Sequence, residues 1–172
     1  MVLAISAGEF DPTRFLYREA RLLDAFDLNG WLQLVDRSIE YKAPVRQSVN
    51  LVEGSGISRR AFYFNEDFGS LSLRIKKLQS EFSWAENPRT RTRRMVSNVE
   101  VISEAVADEI CRVEVFSNLI VFCHRGDEAQ PRIISAQRQD LICVDGTTAR
   151  LLRRNVLFDT TVLGVDSLSI FL

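Results

Sequence analysis

The chain has 172 residues, 46% of them apolar and 26% charged, with 22 Lys and Arg set against 23 Asp and Glu for a net charge of −1. A domain of this length buries about two thirds of the surface its unfolded chain exposes, so it needs no disulfide or metal staple. The even charge balance excludes a long-range pull towards nucleic acid or an anionic membrane, and nowhere do about 18 uncharged apolar residues run together as a membrane span requires.

Cys111, Cys123 and Cys143 form an odd set without CxxC spacing, each within an apolar run. Free thiols in a reducing, cytoplasmic setting fit that pattern. The start, MVLAISAGEF, lacks the basic n-region of a signal peptide. One α+β domain is expected over residues 1–172: a loose lead at 1–10, a mainly helical half at 11–83 and a mainly sheet half at 84–172.

Asp11 followed by Pro12 is a helix start, because the carboxylate accepts free backbone N–H groups and proline costs nothing in the first turn. Phe15, Leu16, Leu22, Leu23 and Phe26 then recur at helical spacing, leaving Arg14, Arg18 and Arg21 to solvent. Asn29-Gly30 is expected to break this helix before a short second one built on Trp31, Leu32, Leu34 and Val35. Ser38 to Pro44 alternates as a strand, with Pro44 ending it or holding it to an edge. Arg46 to Arg60 is polar and carries Gly54-Ser55-Gly56, which predicts a long surface loop. Phe62, Tyr63 and Phe64 make an aromatic cluster. Asn65 is the expected cap of a helix in which Phe68, Leu71, Ile75, Leu78 and Phe82 step by helical intervals.

The character of the chain changes over residues 84–101, WAENPRTRTRRMVSNVEV, where a helix ends, arginines cluster and alternation begins. Strands are expected over Met95–Ile102, Ile110–His124, Arg132–Val144 and Ala149–Asp159, with turns at Arg125-Gly126-Asp127 and Asp145-Gly146. Helices first and a strand meander second is an α+β pattern, and strands this long must twist and curl around the helices. Charges interrupt the apolar faces: Arg138 and Asp140 between Ile134 and Ile142, and Arg153 and Asn155 between Leu151 and Leu157. Such residues need either an internal polar cavity or a docked partner.

With His124 as its one histidine, the chain cannot by itself supply a His-rich zinc site, a two-His-one-carboxylate iron site or a Rieske cluster. Cys123 and His124, adjacent in a strand, point to opposite faces, which disfavours a local nucleophile pair. No phosphate-binding glycine loop or nucleophile-elbow motif is present. Arg89, Arg91, Arg93 and Arg94 place four guanidinium groups together; in a strand Arg89, Arg91 and Arg93 share one face and Arg94 takes the other. The balanced charge argues against nucleic acid as their partner and for a protein interface, where arginine forms bidentate carboxylate contacts. A rival reading is a stand-alone pocket enzyme using Tyr17, Tyr41, Tyr63, Asp140 or His124 for proton transfer.

Three regions in order, FLYREARLLDAFDLNGWLQLVDRSIEYKAPVR at 15–46, the stretch at 84–101 and DSLSIFL at 166–172, resemble the small (β) subunit of bacterial aromatic-ring-hydroxylating dioxygenases. Glu19, Asp24, Trp31, Tyr41, Pro44, Arg46, Arg91, Arg93, Arg94, Arg153, Arg154 and Asp159 are among the carriers. The resemblance implies a cone-like fold with a long, curved, mainly antiparallel sheet around N-terminal helices, shared with scytalone dehydratase, ketosteroid isomerase and nuclear transport factor proteins. It also implies a non-catalytic scaffold with no catalytic, cofactor-binding or metal residues of its own. The partner would be a larger α subunit carrying a Rieske [2Fe–2S] cluster and a mononuclear iron, in a hexamer of three α and three β chains fed by a ferredoxin or reductase, with no nucleic acid or membrane involved. The implied reaction uses O2 and NAD(P)H-derived electrons to convert an aromatic hydrocarbon to a cis-dihydrodiol; the alternative is a cone-fold lyase or isomerase. Subunit contacts are expected at Arg89, Arg91, Arg93, Arg94, Phe171, Leu172 and the loop 46–60.

Overall fold

Asp11 opens the first helix, α1 (Pro12–Asp24), by accepting the backbone N–H groups of Thr13 and Arg14 at 2.9 and 3.2 Å. In this computed structural model, which describes residues 10–48, 56–80, 88–107, 110–163 and 170–172, α1 buries Phe15, Leu16, Ala20 and Leu23 together with one carboxylate, Glu19. Phe26, at a positive φ of 58°, then reverses the chain. The second helix, α2 (Leu28–Leu32), starts earlier than expected, because Asp27 caps it by accepting the Gly30 N–H at 2.9 Å. A Cβ at residue 30 would lie 2.4 Å from the Asp27 carboxylate, so the glycine serves the cap rather than a break.

Strand β1 (Val35–Arg46) takes up Val35, which had been expected in the helix, and runs on past Pro44. The proline is tolerated because the pairing with β2 (Ile57–Glu66) shifts register on both sides of it. Part of the expected long loop is therefore strand: Ile57 to Arg60 belong to β2, while residues 49–55 lie outside the described residues. Alongside its helices the first half of the chain thus carries two strands. Helix α3 (Phe68–Gln79) is capped by Asp67 rather than Asn65, in a reciprocal box where Asp67 and Ser70 exchange backbone-to-side-chain bonds of 2.8 Å. Leu71 and Ile75 are its buried residues, and Phe82 lies outside the described residues.

The remaining strands are β3 (Arg91–Ala107), β4 (Ile110–His124), β5 (Arg132–Asp145) and β6 (Thr148–Phe158). Together the six form one mixed sheet ordered β2-β1-β6-β5-β4-β3, antiparallel except where β1 meets β6. β3 begins four residues ahead of Met95 and forms an edge; Asn98, at φ 51°, marks a register shift in its ladder with β4. A second irregularity decides the site. Between β5 and β6, Ile142 pairs with Leu151 but Leu141 pairs with Arg153, so Leu152 is an extra residue and the inward face passes from Leu151 to Arg154. The inward-facing arginine of β6 is therefore Arg154, not the expected Arg153.

The helices cover the concave face over two apolar clusters. One gathers Phe15, Leu16, Trp31, Leu71, Ile75 and Val113; the other gathers Ala43, Leu119, Val121, Ile134, Val156 and Phe158. Between them β4 contributes buried Ser117, β5 contributes buried Arg138 and Asp140, and β6 contributes buried Arg154. Among the described residues no helix is long and apolar enough to cross a membrane.

Candidate functional site

The site grows from a carboxylate on an apolar stripe. Glu19 follows Phe15 and Leu16 by one helical turn and precedes Leu23 by another, so α1 must deliver it into the core. Its Oε1 accepts from Trp31 Nε1 at 3.0 Å and from Arg154 Nη1 at 2.6 Å; its Oε2 accepts from Arg154 Nη2 at 2.9 Å and from Arg138 Nη1 at 3.2 Å. Asp140 takes the other side of Arg154, with Nε and Nη2 each donating to one of its oxygens at 2.7 Å. The fifth N–H of Arg154 reaches the Leu172 carbonyl at 2.8 Å, so all five of its donors are used. Arg138 Nε donates to Ser117 Oγ at 3.2 Å, while among the described residues its Nη2 has no partner.

Two guanidinium groups and two carboxylates therefore neutralise one another in the middle of the fold. Burial opposes the charge on Glu19, yet the fields of Arg154 and Arg138 and the bonds from Arg154 and Trp31 hold its carboxyl below the ordinary value. Burial and the neighbouring Arg154 lower Arg138, whereas Asp140 and Glu19 outweigh burial and raise Arg154. Tyr41, also fully buried, has its phenol pushed up by burial. Its hydroxyl accepts from the Leu172 N–H and donates to the Leu172 carbonyl, each at 2.7 Å.

Residues 170–172 occupy the centre of the cone. Phe171 lies against Trp31, with ring centroids 4.5 Å apart, and carries the Arg74 guanidinium 4.4 Å from its own centroid. Phe171 is 2% exposed and Leu172 not at all, so these two expected contact residues are interior. Arg94 is interior too. Its guanidinium pairs with Asp24 at 2.5 Å and donates to Thr92 Oγ1 at 2.8 Å and to the Phe171 carbonyl at 2.6 Å. The backbone alternation that puts Arg91 and Arg93 outside turns Arg94 inward, against α1.

The other three arginines remain at the surface. Arg89 stacks 3.7 Å from the Phe26 ring centroid, Arg91 donates to the Gly126 carbonyl at 2.9 Å, and Arg93 is exposed on the face it shares with Arg91. Beside them β3 exposes Met95, and Ile120 and Ile133 of the neighbouring strands are open on the same outer sheet face. A cavity of about 210 Å3 lies between the α1 end and β3, lined by Asp24, Phe26, Arg89, Arg91, Arg94 and Phe171 among others.

The residues named for proton transfer do not converge. Tyr17 is half exposed, Tyr63 donates to the Thr161 carbonyl at 2.8 Å, and His124 ends β4. Tyr41 and Asp140 are linked only indirectly, Tyr41 donating to the Leu172 carbonyl that Arg154 also binds and Arg154 in turn donating to Asp140, so both are engaged with groups of the chain itself. Sequence reasoning missed Glu19 and Arg154 as a pair; the available signal was a carboxylate at helical spacing among Leu16, Ala20 and Leu23. Among the described residues no cluster of His, Cys, Asp and Glu could hold a metal ion.

Helices closing a long curled sheet, with the cone's interior taken up by a neutralised ion cluster and the chain's own residues, define a cone-fold protein. The chain belongs to the ring hydroxylating beta subunit family, whose model matches residues 18–164. It is 32% identical over 163 residues to the beta subunit of an N,N-dimethyl phenylurea N-demethylase of Sphingobium sp. strain YBL2, covering 95% of this chain and 90% of the relative. It is also 32% identical over 169 residues to the beta subunit of benzene 1,2-dioxygenase of Pseudomonas putida, covering 95% and 88%. In fold it matches a chain of naphthalene 1,2-dioxygenase with indole bound in the active site, at TM-score 0.78 and 24% identity over 93% of this chain and 83% of that one. A scytalone dehydratase-like protein of Novosphingobium aromaticivorans shares the fold at TM-score 0.60 and 15% identity, covering 90% and 86%. The cone expectation is met.

Proposed function

We propose that this chain is the structural β subunit of a terminal oxygenase, shaping and holding a larger α subunit rather than performing chemistry itself. The observation that carries the reading is the occupied interior: Arg154 spends every donor on Glu19, Asp140 and Leu172, and Phe171 fills the space beside Trp31. A substrate would have to displace the protein's own core.

The α partner would supply the Rieske [2Fe–2S] cluster and the mononuclear iron, in a cytoplasmic assembly of three α and three β chains receiving electrons through a ferredoxin or reductase. We assign the β-side contact to the outer face around Arg89, Arg91 and Arg93, where exposed guanidinium groups adjoin apolar Met95, Ile120 and Ile133. Arginine beside apolar surface is the composition that marks interface cores. The assembly would add both atoms of O2 to an aromatic ring, giving a cis-dihydrodiol.

Co-expression with a Rieske-type α chain, followed by light scattering and turnover of benzene, naphthalene and an N-methylated phenylurea, tests the reading. A stable α–β complex with activity only when both chains are present is expected. A chain that stays free of α, or that turns over a small molecule alone, overturns it.

A further inference from the structure

We infer that the cone is a peptide-binding site whose present occupant is the chain's own Ile170-Phe171-Leu172, and that it takes a short peptide of this type in trans. Three successive carbonyls are each bound by an arginine from a different element. Arg74 Nη2 of α3 donates to Ile170 at 2.7 Å, Arg94 Nη2 of β3 to Phe171 at 2.6 Å, and Arg154 Nη1 of β6 to Leu172 at 2.8 Å. Tyr41 of β1 reads the backbone of Leu172 twice, as acceptor from its N–H and donor to its carbonyl.

Side chains are read as well. Phe171 enters the first apolar cluster between Trp31 and the Arg74 guanidinium, and Leu172 enters the second beside Ala43, Val156 and Phe158. Main-chain bonds from fixed donors with two neighbouring side-chain pockets constitute the ordinary design of a peptide site, in which backbone contacts hold and pockets select. The arginines are oriented independently of the tail: Arg74 by Glu66 at 2.7 Å, Arg94 by Asp24, and Arg154 by Glu19 and Asp140. The receptor is therefore pre-formed, which keeps the ordering cost of binding low. This inference concerns the lone chain and stands whether or not an α partner is met.

The test uses the full chain carrying Phe171→Ala and the tetrapeptide acetyl-Ser-Ile-Phe-Leu. A tethered segment meets its site at an effective concentration of about a millimolar, so in the unaltered chain free peptide kept at or below about 0.1 mM competes poorly. Loss of the phenyl group weakens the tethered segment by about thirtyfold, equivalent to about 2 kcal/mol, and the free peptide then wins. The melting temperature of the Phe171→Ala chain should rise with peptide concentration while that of the unaltered chain stays fixed. Acetyl-Phe-Leu-Ser-Ile should have no effect. Adding Tyr41→Phe should weaken the response by about tenfold, since that hydroxyl makes two of the contacts. If the Phe171→Ala chain is unfolded alone, the same titration reads the return of its far-UV circular dichroism. No response in either format overturns the inference, as does an equal response to the scrambled peptide, a rise in the unaltered chain, or indifference to Tyr41→Phe.

Discussion

Replacing Glu19 by Gln changes one atom's chemistry at the centre of the protein and almost none of its volume. The native carboxylate accepts four hydrogen bonds, three of them from guanidinium groups. The amide turns one acceptor into a donor facing an arginine and leaves Arg138 and Arg154 with only Asp140 to balance them. Breaking a buried ion pair from one side costs about 3–5 kcal/mol, because the remaining charge is neither hydrated nor paired. Against a total stability of about 5–15 kcal/mol this is a large fraction. At about 2–4 °C per kcal/mol for a domain of this size, Glu19→Gln should lower the melting temperature by about 6–20 °C, read by urea titration and thermal melting monitored by circular dichroism. Arg18→Gln, on the exposed side of the same helix, should stay within about 0.5 kcal/mol of the unaltered chain. Adding Arg138→Met to Glu19→Gln restores one charge of each sign and should cost less than the two single changes summed. A Glu19→Gln chain within about 1 kcal/mol of the original, with an additive double mutant, would refute the view that this cluster is a coupled unit.

The same carboxylate sets an acid limit. Its folded pKa lies below the unfolded value, so its contribution is present above about pH 4.5 and is lost as the pH falls through the folded pKa. The stability gap between the unaltered chain and Glu19→Gln should therefore shrink in urea titrations taken from pH 7 down to pH 3. Arg94→Ala should cost about 2–4 kcal/mol, since it strips Asp24 and the Phe171 carbonyl of a charged donor. Arg91→Ala with Arg93→Ala should leave stability within about 0.5 kcal/mol while reducing recovery of a co-expressed α chain; intact recovery would remove those two residues from the interface. Asp67→Ala deletes one side of the α3 capping box and should cost about 1 kcal/mol in the same melts.

Where periodicity was strong, the sequence was readable to the residue. Ile110–His124 alternates without a break and is the observed β4, and the charged interruptions Arg138 and Asp140 do face inward as their position between Ile134 and Ile142 implied. Where a single residue resets the phase, it was not. The extra Leu152 moves the inward role from Arg153 to Arg154, and no local signal in Leu151-Leu152-Arg153-Arg154 distinguishes the two registers. β2 was hidden for another reason. Ser58, Arg59 and Arg60 look like loop because β2 is a sheet edge, where polar residues face water on a paired backbone. Phe171 and Leu172 were expected at a subunit contact because aromatic anchors dominate interface energy; only tertiary structure shows arginines from three elements converging on the carbonyls of residues 170–172.

Those arginines also bear on why the chain keeps charge in its core. An apolar filling of similar volume would often be as stable as a buried ion cluster, so stability alone does not account for it. Arg154 does something an apolar residue cannot: it joins α1 through Glu19, β5 through Asp140 and residue 172 through its carbonyl, each with directed bonds. Arg94 likewise joins α1, β3 and residue 171. Sliding a helix along the sheet would leave buried guanidinium groups without acceptors, whereas apolar contacts would merely exchange neighbours. Directed bonding thus fixes the single arrangement of helix, sheet and tail that aims Arg91 and Arg93 outward on the strand whose alternate residue, Arg94, is locked within.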